Sequence, residues 1–246
     1  MKIISYNLRY GGNSVIGPEN HWQRLIRDFD PDIVFAQESV HPERYFSPDD
    51  FSQFKGCLYS AVPHGKWGSA ILSRNHQLES IPLPEFDGWV VGARVPDLKI
   101  NGLAQAALIF SLHAPSPGPY EPIVNRILDA IAKKQDGTPM IIAGDFNVTT
   151  AVRHSGEESG PNSSGERKIL ERLRTEFGMS NAWQALHPNE NLPQTLRWSR
   201  DPVPHYHCDA VFVSHSHLRY LASAKIDNSG DWGRLSDHNP ILVTFK

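Results

Sequence analysis

Acids, amides and imidazoles recur at the ends of apolar runs in this chain. Asn7 closes KIISY, Glu38 follows DIVFAQ, His113 follows LIFSL, and Asp145 and Asn147 follow MIIAG. Asp209 opens the run AVFVS, and the adjacent Asp237 and His238 stand just before PILVTF. Taken singly, each has an ordinary structural use: Asn7, Asn147 and Asp209 as turn or cap residues, Glu38 as a solvated strand end, His113 as a satisfied buried histidine. Recurrence at the same end of successive strands favours a cleft that gathers carboxylates, amides and two imidazoles on one rim. Oxygen ligands without thiolates suit a hard cation, Mg2+ or Mn2+, and not structural zinc.

The elements that must position this set are mostly strands. KIISY is a short β-rich run, and NHWQRLIRDF then places Trp22, Leu25, Ile26 and Phe29 on one helical face before the strand DIVFAQE. Further strands are expected at GSAILS, WVVGARV, LAQAALIFSLH, PMIIAGDF, CDAVFVS, LRYLASAKI and PILVTF, each bounded by Gly, Pro, Asn or Asp. Two more helices are expected, with Ile123, Ile127, Leu128 and Ile131 on one face and Ile169, Leu170, Leu173 and Phe177 on the other. Several strands are apolar throughout, which suits sheets covered on both faces, so two packed sheets with helices outside are expected. RHSGEESGPNSSGE and SRDPVPHYHC read as loops beside the motifs.

With 246 residues, 39% hydrophobic, the chain is expected to form one globular domain, and a net charge of -3 supplies no global basic field for nucleic acid. Cys57 and Cys208 are far apart and suggest neither a zinc site nor a disulfide framework. The N-terminal run turns polar at Ser5 and Asn7, too early for a signal peptide, and no apolar run is long enough to span a bilayer. A soluble cytoplasmic protein without membrane insertion is the expectation, with no obligate protein partner readable.

The ordered series SYNLR, AQES, GSAILSR, SLHAPSPG, AGDFN, CDAVFVS and SDHNP resembles the endonuclease/exonuclease/phosphatase superfamily that includes deoxyribonuclease I and exonuclease III. The resemblance covers essentially the whole chain, and GDFN and SDHNP are its specific signals. It implies an α/β fold of the deoxyribonuclease I type: a four-layer α/β sandwich with two packed mixed, largely antiparallel β-sheets and a divalent-metal site on one rim. Glu38 then matches the main metal ligand and Asn7 its helper, with Asp237 as a further metal-site acid. Asp145 and Asn147 match residues that position the attacking water and contact the scissile phosphate. Asp209 matches the acid opening its strand, and His238 the general base or phosphate-binding histidine with Asp237 as its companion carboxylate. His113 stands where deoxyribonuclease I has histidine and exonuclease III tyrosine. QESV and SLHAP therefore point away from the apurinic-site subgroup and towards the histidine-bearing branch.

Shared catalytic residues do not name the substrate. Trp67, Trp198 and Trp232 lie in Gly/polar loops beside the motifs, where an indole could stack on a base, and Lys66, Arg197, Arg200 or Arg234 could meet phosphates. Capping of the core rim is the competing use for these tryptophans. The expected activity is that of a metal-dependent phosphodiesterase acting on nucleic acid, a nuclease for DNA or RNA. The alternatives are hydrolysis of a small-molecule or lipid head-group phosphoester, such as an inositol phosphate or sphingomyelin, and a catalytically silent binding module.

Overall fold

The computed structural model describes residues 1–9, 21–157, 160–197, 206–229 and 232–246. The first sheet contains β1 (Lys2–Asn7), β2 (Ile33–Ser39), β3 (Gly56–Ala61), β4 (Gly68–Ser73), β11 (Leu221–Ile226) and β12 (Ile241–Phe245). The second contains β5 (Glu79–Ile81), β6 (Val90–Ile100), β7 (Leu103–His113), β8 (Met140–Asp145), β9 (Met179–Asn181) and β10 (Asp209–Ser214). Their orders are β11-β12-β1-β2-β4-β3 and β5-β6-β7-β8-β10-β9. Each sheet has one parallel pair at its centre, β1 with β2 and β7 with β8, and is otherwise antiparallel.

Three apolar layers hold the sandwich together. Between the sheets lie Ile3, Phe35, Ile71, Val95, Ile109, Ile141, Val211 and Val243. Outside the second sheet, α3 (Tyr120–Ala132) and α4 (Ser164–Thr175) bury Val124, Ile127, Leu128, Ile131, Ile169 and Leu173 against Phe110, Ile142 and Phe212. Outside the first, α1 (His21–Phe29) and the short α7 (Trp232–Leu235) bury Trp22, Leu25 and Trp232 against Ile4, Tyr6 and Val34. Each such side chain contributes about 1.5–3 kcal/mol when removed from water. Strands such as β4 and β8 are buried at every residue because both faces of their sheets are covered, and the four-layer order α/β/β/α follows.

Three strands that the sequence does not announce, β3, β5 and β9, lie at sheet edges. An edge strand is paired on one side, and these are short or half-exposed, so their apolar pattern is weak. Among the described residues no helix is long and apolar enough to cross a membrane.

The topology also fixes the rim. β1, β2, β7 and β8 end there, while β10 and β12, antiparallel to β8 and β1, begin there. Gln37 Nε2 donates to Ser111 Oγ at 3.0 Å, and that hydroxyl donates to Ala36 O at 3.1 Å, tying the sheets just below it. Gly144 has φ +145°, and a Cβ there would lie 1.8 Å from Leu112 O, so β8 can approach β7 only with glycine before Asp145.

Candidate active site

Glu38 leaves β2 in a left-handed conformation, φ 47°, where the β2–β4 register shifts between Ala36 and Ser39. Glutamate rarely adopts this backbone, and the bulge turns its carboxylate over the rim. Trp22 Nε1 donates to Ser39 Oγ at 3.0 Å and anchors α1 beside this bend. Asn7 Nδ2 donates to Glu38 Oε1 at 3.3 Å and to Asp145 Oδ2 at 3.1 Å, bridging the two sheets, while Asn7 Oδ1 accepts from Arg9 N at 3.0 Å. Asn147, with φ 53°, donates its backbone N–H to Asp145 Oδ1 at 2.9 Å and its side-chain amide to Ala114 O at 3.0 Å.

The parallel register of β7 and β8 sets His113 beside Asp145, and the antiparallel register of β8 and β10 sets Asp209 on its other side. His113 Nε2 lies 3.7 Å from Glu38 Oε1 and 3.8 Å from Asp145 Oδ2. His238 Nδ1 meets Asp209 Oδ2 at 2.9 Å, which leaves Nε2 facing Asp145 Oδ2 at 3.8 Å. His238 N–H donates to Ser236 Oγ at 3.1 Å, and that hydroxyl donates to Asn7 O at 2.7 Å, locking the turn before β12 to the end of β1.

The partner of the His238 imidazole is therefore Asp209, 29 residues away, and not the adjacent Asp237. Asp237 comes no closer than 3.9 Å to His238 Nε2 and forms an ion pair with Arg9 at 3.3 Å. Neighbours in sequence on a turn project apart, whereas β10 and the turn before β12 bring Asp209 and His238 together across the rim.

Burial and crowding of like charges set the protonation states. Burial alone would push His238 down, but the Asp209 and Asp145 carboxylates outweigh it and raise it to about 10, so the ring is an imidazolium at neutral pH. Burial, with the neighbouring charge on Asp209, pushes Asp145 up to about 7. Burial also raises Glu38, against the Asn7 hydrogen bond that lowers it. His113 is driven down to about 3 by burial and by the charge on His238, and is neutral.

A divalent cation fits this donor set. Carboxylate oxygens of Glu38 and Asp237 with the Asn7 amide are hard ligands, and the buried carboxyls of Glu38 and Asp145, both raised, are crowded in a way that a cation relieves. Coordination through Asn7 requires its amide to turn the oxygen inward and release Arg9 N. Cys208, Asp209 and His238 also lie close enough to share an ion. That group fits poorly: Asp209 and His238 already bond each other, and burial and the Asp145 and Asp209 charges raise the Cys208 thiol well above its usual range, keeping it protonated.

Of the residues expected at the substrate, Trp67 is at the site: its ring centroid is 5.6 Å from that of His113. Trp89, which sequence reasoning did not pick out, completes the cluster 5.3 Å from His113 and edge-on to Trp67 at 5.2 Å. A tryptophan following Gly88 at the mouth of β6 had the same strand-end signature as the acids. Trp232, expected at the substrate, is instead 4% exposed in the core, stacked on Phe29 at 5.0 Å and edge-on to Tyr6 at 5.5 Å. Arg197 hydrogen-bonds the turn that carries His238. Trp198 and Arg200 lie outside the described residues, as does the side chain of Arg234.

An acid-anchored imidazole facing a carboxylate cluster, on the common rim of a double-sheet sandwich, is an arrangement suited to phosphoester hydrolysis. The model of the Endonuclease/Exonuclease/phosphatase family matches residues 4–238, and the chain belongs to that family. No curated protein matches it. Among solved structures, the 3' phosphatase NExo from Neisseria, bound to product DNA hairpin, is similar with a TM-score of 0.75 and 21% identity over 100% of this chain and 99% of that one. An AP endonuclease from Archaeoglobus fulgidus gives a TM-score of 0.71 and 19% identity over 100% and 99% of the two chains. The endonuclease domain of TRAS1, a telomere-specific non-LTR retrotransposon, gives 0.67 and 18% over 100% and 97%. At these identities the likeness establishes the fold.

Proposed function

We propose that the protein is a divalent-cation-dependent phosphodiesterase acting on nucleic acid, a nuclease. The observation that carries this reading is the His238 imidazole, anchored at Nδ1 by Asp209 and facing Asp145 through Nε2. A phosphodiester lying over this pair on the open side of the rim meets a donor for a non-bridging oxygen at His238 and an acceptor for the attacking water at Asp145. Asp145 takes the water proton as the new P–O bond forms, and the bond to the leaving oxygen breaks with its electron pair passing to that oxygen, which takes a proton from solvent. Asn147, tied to Ala114 O through one amide hydrogen, keeps a second for a phosphate oxygen. Neutral His113 adds a donor beside Glu38 and Asp145 without adding charge. Glu38, helped by Asn7 and Asp237, would hold Mg2+ or Mn2+, which supplies charge neutralisation at the phosphate when bound.

Nucleic acid as substrate is supported by the product DNA hairpin on the Neisseria relative and by the indoles of Trp67 and Trp89 beside His113, where a nucleobase can stack. The test is hydrolysis of single- and double-stranded DNA, RNA, inositol phosphates, sphingomyelin and bis-p-nitrophenyl phosphate. Cleavage of a polynucleotide that weakens steeply with added salt supports the proposal; turnover confined to a small ester or lipid overturns it.

A further inference from the structure

The guanidinium of Arg197 is held by the backbone of the SDHN turn. Its Nη2 donates to Ser236 O at 2.6 Å and to His238 O at 2.9 Å, and its Nη1 donates to Asn239 Oδ1. Its backbone N–H donates to Asp237 O at 2.7 Å, so one residue satisfies the carbonyls of Ser236, Asp237 and His238 in succession. The preceding residues continue the contact: Asn239 N–H donates to Thr195 O at 2.8 Å, and Asn239 Nδ2 to Gln194 O at 2.8 Å. Thr195 Oγ1, fully buried, accepts from the backbone N–H of Cys208 at 3.0 Å and of Asp209 at 3.1 Å.

We propose that Arg197 is a positioning residue for the reaction, and that residues 194–197 act as a ruler setting the distance between His238 and Asp209. The inference rests on the reading of His238 as a catalytic group. Thr195 fixes where β10 presents Asp209, and Arg197 fixes where the turn presents His238, so both halves of a 2.9 Å pair are referenced to one short segment. A planar fork of donors can address several carbonyls at once, which a lysine ammonium cannot reproduce. A displacement of about 1 Å at a reacting group can cost about 10²-fold in rate, so the fork acts on kcat without touching substrate.

The experiment compares Arg197→Lys and Arg197→Ala with the wild type and with His238→Ala, using bis-p-nitrophenyl phosphate and a polynucleotide, with melting curves to count folded protein. Both Arg197 variants are expected to lose about 10- to 100-fold in kcat with KM within about threefold. Millimolar guanidinium should partly restore Arg197→Ala, and methylammonium should not. If the alanine variant fails to fold, the lysine variant carries the test through its kcat and KM. Wild-type kcat per folded molecule in Arg197→Lys overturns the proposal. So does a rise in KM at unchanged kcat with a shallower salt dependence, which would make Arg197 a phosphate contact. Loss of turnover in His238→Ala alone leaves the site intact and rejects only the ruler; full turnover in His238→Ala rejects the reading of the site itself.

Discussion

Replacing Asp209 by Asn leaves the shape of the site in place and removes the charge that anchors His238. His238 and Asp209 are 5% and 3% exposed and 2.9 Å apart, so neither can turn to water for a substitute partner. Removing one partner of a buried ion pair costs about 3–5 kcal/mol, and the amide oxygen can still accept from Nδ1, so about 3 kcal/mol is expected. The cost depends on pH. His238 stands at about 10 in the folded protein against 6.5 unfolded, so the folded state holds that proton more tightly. The stabilisation is fully present below 6.5 and is lost as pH rises through about 10. Urea unfolding of the metal-free wild type and Asp209→Asn at pH 6, 8 and 10 should therefore show a gap that shrinks across the series. The rate should fall by about 10²-fold or more at neutral pH, and activity should decline on the alkaline side at a lower pH than in the wild type. A gap independent of pH, or a loss of only a few-fold in rate, would refute the anchored imidazolium.

Trp67→Ala should raise KM for a polynucleotide by about tenfold, as loss of one stacking platform predicts, while leaving bis-p-nitrophenyl phosphate unchanged; steady-state kinetics on the two substrates read the difference. Trp232→Ala should do the reverse. Emptying its place among Tyr6 and Phe29 is expected to cost about 3–5 kcal/mol in urea unfolding, with KM of the folded fraction unaltered.

The rim was legible in the sequence because strand ends carry a signal that does not depend on pairing: an apolar run, then Glu38, His113 or Asp145. Buried strands such as β4 and β8, with the continuous apolar stretches 70–72 and 140–143, announced themselves for the same reason, while the edge strands β3, β5 and β9 did not. What sequence order could not supply was pairing across the rim. Asp237 beside His238 invited a local partnership, yet the antiparallel entry of β10 delivers Asp209 to the imidazole. Thr195 was equally hidden, and Arg197 was expected at a phosphate, because the groups their side chains meet are backbone carbonyls and N–H groups, which leave no trace in residue type. Trp232 showed the limit of loop context: Gly and Asp around it suggested exposure, but the short α7 turns its indole into the core.

The most direct test strips the protein with EDTA and follows phosphodiester hydrolysis as Mg2+ or Mn2+ is added back to the wild type and to Glu38→Gln. Turnover should return in the wild type and stay at least about 10²-fold lower in Glu38→Gln at the same cation concentration, with melting curves of the two stripped proteins alike. Full turnover in EDTA, or a Glu38→Gln variant as active as the wild type, would contradict a cation-assisted site built on Glu38.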